Sequence, residues 1–257
     1  MKRIRSLHRP NGRTKERAFL IEGQRAIADA LLAGVKPDTF IVRAGDERLL
    51  DSLPFSTDID VRRVSGDVFA SVSLTVHPQG LIASVPIPTL RPMPTARPLI
   101  LLIDGVRDPG NMGTLLRSAA AAGVSEVYVA DETVDPWSPK VVRSAMGAHF
   151  RVPIRAGMAD SLSALRGCDM RVMADPHSGA TYDTVDWTRG AGLIIGGEAL
   201  GPGGAMRQLA NVRISIPMAA GMESLNAGVA GAVVLFEAAR QRRVAGSQAV
   251  ADETGAS

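Results

Sequence analysis

Leu99-Ile100-Leu101-Leu102-Ile103-Asp104-Gly105-Val106-Arg107-Asp108-Pro109-Gly110-Asn111-Met112-Gly113-Thr114-Leu115-Leu116-Arg117 is the stretch whose reading decides the fold. Leu99–Val106 is a short, predominantly apolar stretch, the pattern of a strand buried on both faces. A tight Gly- and Pro-containing turn follows, and Gly113–Ala122 has the composition of a helix. Asn111 stands where that helix begins. Asparagine is a good N-cap, and helix N-termini attract phosphate. With a helix from about Met112, Arg117 falls on its second turn, in reach of a phosphate or a reacting hydroxyl. The plain alternative is an ordinary strand–turn–helix with a capping Asn and a surface Arg.

Downstream the pattern repeats. Glu126–Ala130 reads as a strand and Pro139–Met146 as a short helix. Met170–Ala174, Leu193–Ile195 and Arg213–Ile216 read as further strands, and a long Ala-rich helix runs from about Leu225 to Arg242. Apolar strands alternating with helices predict an α/β fold on a parallel sheet covered on both faces. Upstream, five prolines between 86 and 98 exclude a helix or central strand and mark a stiff linker. The expected division is a small α/β domain over 1–87, a linker over 88–98 and a larger domain over 99–244. The small polar segment 245–257 is expected to be disordered. Within the first domain, Gly23–Ala33 is helical, with Ala26, Ile27, Ala30 and Leu31 on one face and Gly34 as its C-terminal glycine. Thr39–Val42, Val61–Val64 and Leu81–Val85 read as strands, and Asp67–Val72 as a short helix.

Composition narrows the function. The chain has 257 residues, of which 46% are hydrophobic and 21% charged, which excludes a disordered or fibrous chain. Aromatics are only 4%, so base stacking on an aromatic platform is not expected. Cys168 is the sole cysteine, and His8, His77, His149 and His177 lack ligand spacing. Neither a disulfide nor a metal site is expected, and a reducing compartment, the cytoplasm, is. No apolar run approaches the roughly 20 residues of a membrane helix, and no signal-peptide core follows Met1. The net charge is only +3, but Lys2, Arg3, Arg5, Arg9, Arg13, Lys15 and Arg17 precede any substantial core. Such a basic arm suits phosphate binding. A frayed, solvated terminus and an Arg-rich transit peptide are the alternatives.

Two more Gly- and polar-rich segments follow apolar strands, where ligands of open α/β sheets bind. One is Gly196-Gly197-Glu198-Ala199-Leu200-Gly201, in which glycines let a backbone approach a ligand. It matches neither the dinucleotide fingerprint nor the phosphate loop. The other is Ile216-Pro217-Met218-Ala219-Ala220-Gly221-Met222-Glu223-Ser224-Leu225-Asn226. Ser224 is its natural N-cap, with Glu223 favourable at the positive helix end; that leaves Asn226 unexplained.

Taken in order, the three segments resemble motifs 1, 2 and 3 of the SpoU (TrmH-like) family of the SPOUT superfamily. The likeness runs through Asp108, Pro109, Asn111, Gly113 and Arg117. It continues through Gly196, Glu198 and Gly201, then through Ile216, Pro217, Met218, Glu223, Ser224, Leu225 and Asn226. Ser138–Ala148 and Phe19–Gly23 also resemble the family, the latter its N-terminal RNA-binding module. Ala227-Gly228-Val229 departs from the Val-Ser-Val often found after the Asn, and Ala199 stands where many members have glycine.

The resemblance implies a parallel-sheet catalytic domain with a deep C-terminal trefoil knot, preceded by a small RNA-binding domain. It implies methylation of a ribose 2′-hydroxyl by S-adenosylmethionine, on ribosomal RNA of the large subunit rather than transfer RNA. Backbone contacts to the cofactor are implied at Gly196, Gly197, Gly201, Ile216, Met218 and Leu225. Arg117 is implied to activate the hydroxyl, with Asn111, Glu198, Ser224 and Asn226 orienting it, the phosphate and the ribose. A guanidinium holds its proton strongly, so such a base is unusual. The family's active site lies at a homodimer interface with the arginine supplied across it. RNA contacts are expected from Arg3, Arg5, Arg9, Arg13 and Lys15 of the arm and from Arg143. The rival readings are a transfer-RNA enzyme, an antibiotic-resistance methyltransferase, a catalytically silent RNA binder and a nucleotide-dependent oxidoreductase.

Overall fold

A computed structural model describes every residue except 56–57, 93, 199, 220–221 and 256–257, and the side chains of all but these and 159 and 248–255. The elements run α1 (Lys2–Ser6), α2 (Pro10–Glu16), β1 (Ala18–Glu22), α3 (Gln24–Leu32), β2 (Thr39–Arg43), β3 (Asp60–Val64), α4 (Gly66–Ala70) and β4 (Leu81–Pro86). After the Pro-rich stretch come β5 (Leu99–Asp104), α5 (Pro109–Ala121), β6 (Glu126–Val129), α6 (Pro139–Ala145), β7 (Ile154–Ala156) and α7 (Met158–Arg166). The chain ends with β8 (Met170–Ala174), β9 (Ala191–Gly196), α8 (Gly204–Leu209), β10 (Val212–Ile214) and α9 (Ala227–Gly255).

Two units form. The first is Met1–Leu90 with Asp135–Arg151, the second Arg91–Val134 with Val152–Ser257. The contiguous division expected from the linker therefore needs one amendment, because 135–151 joins the first unit. Arg13 shows why. It is buried, its Nε donates to Asp135 Oδ2 at 2.8 Å, and its Nη1 donates to the Leu7 carbonyl at 2.8 Å. A buried guanidinium must be paired, so Arg13 is a structural cation and the RNA contact expected of it is withdrawn. The basic arm is likewise no frayed tail. It folds as α1 and α2, which set Ile4 and Leu7 into a core with Leu20, Ile41, Phe69 and Ile82. The basic residues around these two apolar positions, Lys2, Arg3, Arg5 and Arg9, concealed them in the sequence.

The first unit carries a sheet of order β1-β4-β2-β3, in which only β2 and β3 are parallel. Its edge strand β3 is exposed and bears Arg62 and Arg63, a charged edge that discourages pairing with another chain. Behind β1 an aromatic cluster joins Phe19 to Trp137 and to His149, with centroids 5.1 and 5.8 Å apart.

The second unit is the expected parallel sheet, of order β10-β8-β9-β5-β6-β7. All six residues of β5 are buried, as are the first five of β9. Burial of each Leu or Ile contributes roughly 1.5–3 kcal/mol. The chain moves outward from β5 to β6 and β7, crosses to β8, and returns to β9 beside β5. The order thus reverses between β5 and β9, and their ends meet at Asp104 opposite Gly196.

Helix boundaries moved. α5 begins at Pro109 rather than near Met112, because Asp108 caps it: its Oδ1 accepts from Asn111 N at 2.8 Å. α9 begins at Ala227 and continues through 245–255, where a disordered tail was expected; alanines there favour the helix. β7, α7 and α8 escaped the sequence reading, since β7 has three residues and α7 mixes Asp160, Ser161 and Ser163 into its pattern. Gly228 lets α9 lie against α5, for a Cβ there would stand 3.0 Å from Thr114 Cβ and 3.2 Å from Asn111 Cα. The glycine that departs from the family's Val-Ser-Val thus has a packing reason.

His149 offers a test of the first unit. Burial pushes its imidazole down to about 4, against favourable effects of the Pro136 carbonyl and Asp135. Between pH 6.5 and 4 the unfolded chain takes up a proton that the folded chain refuses. Stability from this group is therefore full above pH 6.5, falls as pH drops through that window, and levels below 4. The loss reaches roughly 3 kcal/mol. In urea titrations at pH 7, 5.5 and 4.5, His149→Gln should lose less stability on acidification than the parent. Equal losses would assign the acid sensitivity elsewhere.

Candidate active site

The ends of β5 and β9 carry the first two polar segments, and the third connects β10 to α9. Neighbouring strand ends at a reversal of strand order form the crevice where open α/β sheets bind ligands. Asp104, the buried acid ending β5, binds the second segment twice. Its carbonyl accepts from Gly197 N at 2.9 Å and its Oδ2 from Gly203 N at 2.7 Å. Arg207 closes the same loop by donating Nε to the Pro202 carbonyl at 2.7 Å and Nη2 to the Leu200 carbonyl. Asp104 and Arg207 were not singled out in the sequence. An acid closing an otherwise apolar strand was the available signal for the first; the second had none. Gly197 is held so close to Gly105 that a Cβ would overlap the Gly105 carbonyl oxygen. Ala199 lies outside the described residues.

A chain of side-chain amides joins the three segments. Asn226 Oδ1 accepts from Val229 N at 2.8 Å, which makes Asn226 the N-cap of α9. Asn226 Nδ2 donates to Asn111 Oδ1 at 2.6 Å, and Asn111 Nδ2 donates to Glu198 Oε1. Both expected caps are thereby corrected. Asp108 rather than Asn111 caps α5, and Asn226 rather than Ser224 caps α9. With Asp108 as cap, Asn111 sits on the first turn of α5 and uses its amide oxygen and nitrogen to bridge the two other segments. Asn111 is 9% exposed, whereas Glu198 and Asn226 are exposed at its two ends. The donors all point toward Glu198, away from the positive end of α9, so each bond polarises the next.

Arg117 is not on that line. It is exposed, on the third turn of α5, roughly 240° around the helix axis from Asn111. Ser224 is exposed as well, and among the described residues no hydrogen bond ties it to Asn111, Glu198 or Asn226. Ile216, Met218 and Leu225 are half-buried and lie outside every strand and helix. Gly196 ends β9, and Gly197 pairs with Gly201 across the turn. Of the expected RNA contacts, Arg5, Arg9, Lys15 and Arg143 are exposed, while Arg3 is engaged by Glu16 and Asp38. Among the described residues no three His, Cys, Asp or Glu side chains group as metal ligands, and no helix is long and apolar enough to cross a membrane.

Residues 98–236 match the model of the SpoU rRNA Methylase family. The chain belongs to that family. Residues 1–83 also match the model of the MRM3-like substrate binding domain. Among SpoU relatives, the chain is 33% identical to the 23S rRNA (guanosine(2553)-2'-O)-methyltransferase RlmP of Bacillus subtilis, over 90% of this chain and 92% of that protein. It is 33% identical to the human mitochondrial rRNA methyltransferase 3, over 90% of this chain and 69% of that one. Among solved structures, the SpoU methyltransferase AviRb from Streptomyces viridochromogenes, in complex with AdoMet, superposes with a TM-score of 0.82 at 30% identity. That match covers 94% of this chain and 97% of that one. An AdoMet-bound rRNA methyltransferase from Sinorhizobium meliloti gives 0.78 at 30% identity, with 93% of each chain covered. The three segments joined by the amide chain all fall within that matched range.

The amide chain predicts a thermodynamic coupling. Asn226→Ala should destabilise by about 1–2 kcal/mol through the lost cap, and Asn111→Ala by a similar amount through partners left unmatched. The double variant should lose less than the sum, by about 1 kcal/mol, in a denaturant double-mutant cycle. Strict additivity would mean that the two amides act independently.

Proposed function

We propose that this SpoU protein methylates a ribose 2′-hydroxyl of large-subunit ribosomal RNA with S-adenosylmethionine, acting as a homodimer whose sites are completed by Arg117 from the second copy. The observation that carries the proposal is the Asn226–Asn111–Glu198 chain at the β5/β9 reversal, because it orders all three segments that resemble the family's motifs. The names of the relatives support the choice of ribosomal RNA. The deep trefoil knot and the cytoplasmic location belong to the same reading.

The residues present fit the cofactor. An adenosine moiety needs donors and acceptors beside apolar surface, and Ile216, Met218 and Leu225 offer backbone groups outside the regular elements next to half-buried apolar side chains. Gly196, Gly197 and Gly201 would hold its other side without steric bulk. When bound, S-adenosylmethionine supplies an electrophilic methyl carbon on a sulfonium sulfur. That carbon would be passed to the ribose oxygen, its bonding pair staying with sulfur, while the hydroxyl proton would go to Arg117 or the phosphate beside it.

Arg117 would polarise the hydroxyl or accept its proton, with an RNA phosphate beside the guanidinium. Its exposed position on α5, turned away from Asn111, suits delivery to another copy's site better than to its own. Exposed Val229 and Phe236, seven residues apart on α9, give that helix an apolar stripe suited to a partner copy. Glu198 and Asn226 would hold the ribose and its neighbouring phosphate, with Ser224 as a further donor at the same mouth. Positioning supplies most of the acceleration in such an arrangement. In the first unit, Lys2, Arg5 and Arg9 line a concave basic surface suited to RNA phosphates.

The test is methyl transfer from labelled S-adenosylmethionine to total bacterial RNA, with modified riboses mapped by their resistance to alkaline cleavage. A new resistant site in the large ribosomal RNA is expected. Arg117→Ala should lower turnover about 100-fold or more while cofactor binding persists. Mixing it with a folded Asn111→Ala variant should restore part of the activity through mixed dimers. Label confined to transfer RNA would refute the substrate, and near-normal turnover by Arg117→Ala would refute its role.

A further inference from the structure

Two stretches that resemble the family, Phe19–Gly23 and Ser138–Ala148, lie outside the Asn226–Asn111–Glu198 chain. Both belong to the first unit, where they form facing walls of one cavity of about 210 Å³. We propose that this cavity receives a single unstacked nucleobase of the RNA substrate, away from the ribose that is methylated. The inference rests on the RNA-methyltransferase reading above and adds to it a second point of recognition.

Size sets the first constraint. A cavity near 150 Å³ accepts benzene, and sites for drug-sized molecules begin at about 300 Å³. At about 210 Å³ this one suits a single heterocycle. Chemistry sets the second. The apolar part of the lining comes from Ile21 of β1, Ala26 of α3, Val142 of α6 and buried Phe150. Arg25 and Arg143 line the cavity from opposite walls and are exposed. A slot with this apolar lining, two guanidinium groups and the Asp29 carboxylate offers surface for a base, an acceptor for its N–H groups and cations for its phosphates.

The lining also contains an unmatched polar atom. His149 lines the cavity and is 1% exposed. Its Nε2 lies 2.7 Å from the Pro136 carbonyl, which can only accept, so Nε2 carries the proton. Nδ1 is then a bare acceptor, buried without a partner among the described residues. That atom is fully enclosed, so the acceptor a base's N–H groups would meet on the lining is the half-buried Asp29 carboxylate. Glu22, by contrast, is fully engaged as a wall-building residue. Its carboxylate accepts from Ser73 Oγ, Leu74 N, Thr75 Oγ1 and Gln79 N, which pins 73–79 against the end of β1. The wall on that side is therefore built before RNA arrives.

Ala26→Trp and Val142→Phe fill the cavity from opposite walls, so that one informative variant remains if the other fails to fold. Each should raise the KM for ribosomal RNA at least tenfold and leave the cofactor Kd unchanged. Arg25→Ala and Arg143→Ala should weaken RNA binding and reduce the salt slope of log Kd by about one each. A single-stranded RNA carrying one 2-aminopurine should brighten on binding the parent and not the Ala26→Trp protein. Unchanged KM and unchanged 2-aminopurine signal in both folded filling variants would overturn the inference. So would a defect seen on ribosomal particles but not on naked RNA, which would assign the cavity to a protein side chain. Failure of the function itself is distinguishable, because the parent protein would then transfer no methyl group to any RNA.

Discussion

A buried amide has to find partners, and Asn111 finds them on two segments far away in sequence. Its Oδ1 and Nδ2 are matched by Asn226 and Glu198, and its own N–H by Asp108. An unmatched amide at that depth costs about 1–3 kcal/mol, a sizeable share of the roughly 5–15 kcal/mol by which domains are stable. The demand of one side chain therefore holds the ends of three separate segments in register. It also accounts for the start of α5 at Pro109. With Asp108 as cap, Asn111 lands inside the first turn, facing its partners, instead of being used up as a cap itself.

That bridge requires α5 and α9 to lie close. Gly228 and Gly231 make this possible, since a Cβ at either would press on Asn111, Thr114 or Leu115. A glycine weakens a helix by roughly 1 kcal/mol relative to alanine, so the helix gives up intrinsic stability for proximity. Substitution of serine for Gly228, the residue common in the family, would need α9 to retreat by a few tenths of an ångström. The separation of the two asparagines depends on that distance.

Much of this was legible in the sequence because the sheet is buried on both faces. Unbroken apolar runs such as Leu99–Ile103 and Ala191–Ile195 fit a doubly covered strand and little else at that length, and the polar segments after them marked the crevice. Caps were harder to read. Asp108 and Asn111, or Ser224 and Asn226, are equally good cap residues on local grounds, and only the bridge between helices decides which is used. Arg13 was unreadable for a related reason. Its sequence neighbours are basic, and the Asp135 that pairs with it lies more than a hundred residues away. The assignment of 135–151 to the first unit was hidden by the same remoteness, because composition changes at the prolines and not at Asp135.

The two units differ in the kind of interaction they offer. The crevice of the second unit is built from neutral amides and backbone groups with Glu198 as the carboxylate of its hydrogen-bond chain, which suits fixing a neutral ribose and a cofactor more than gripping a polyanion. The first unit holds the exposed Lys2, Arg5, Arg9, Arg25 and Arg143 and a cavity with a partly apolar lining. Affinity for RNA grows with phosphate contacts, whereas the choice of nucleotide needs groups that touch bases. A protein with few aromatic side chains has little platform for open stacking. A partly open cavity with apolar lining would obtain base contact by a different route, since it takes the base partly out of water instead of laying it on a ring. On that arrangement the choice of RNA and the transfer of the methyl group draw on separate residues, and substitutions in one unit should leave the other's equilibrium constants intact.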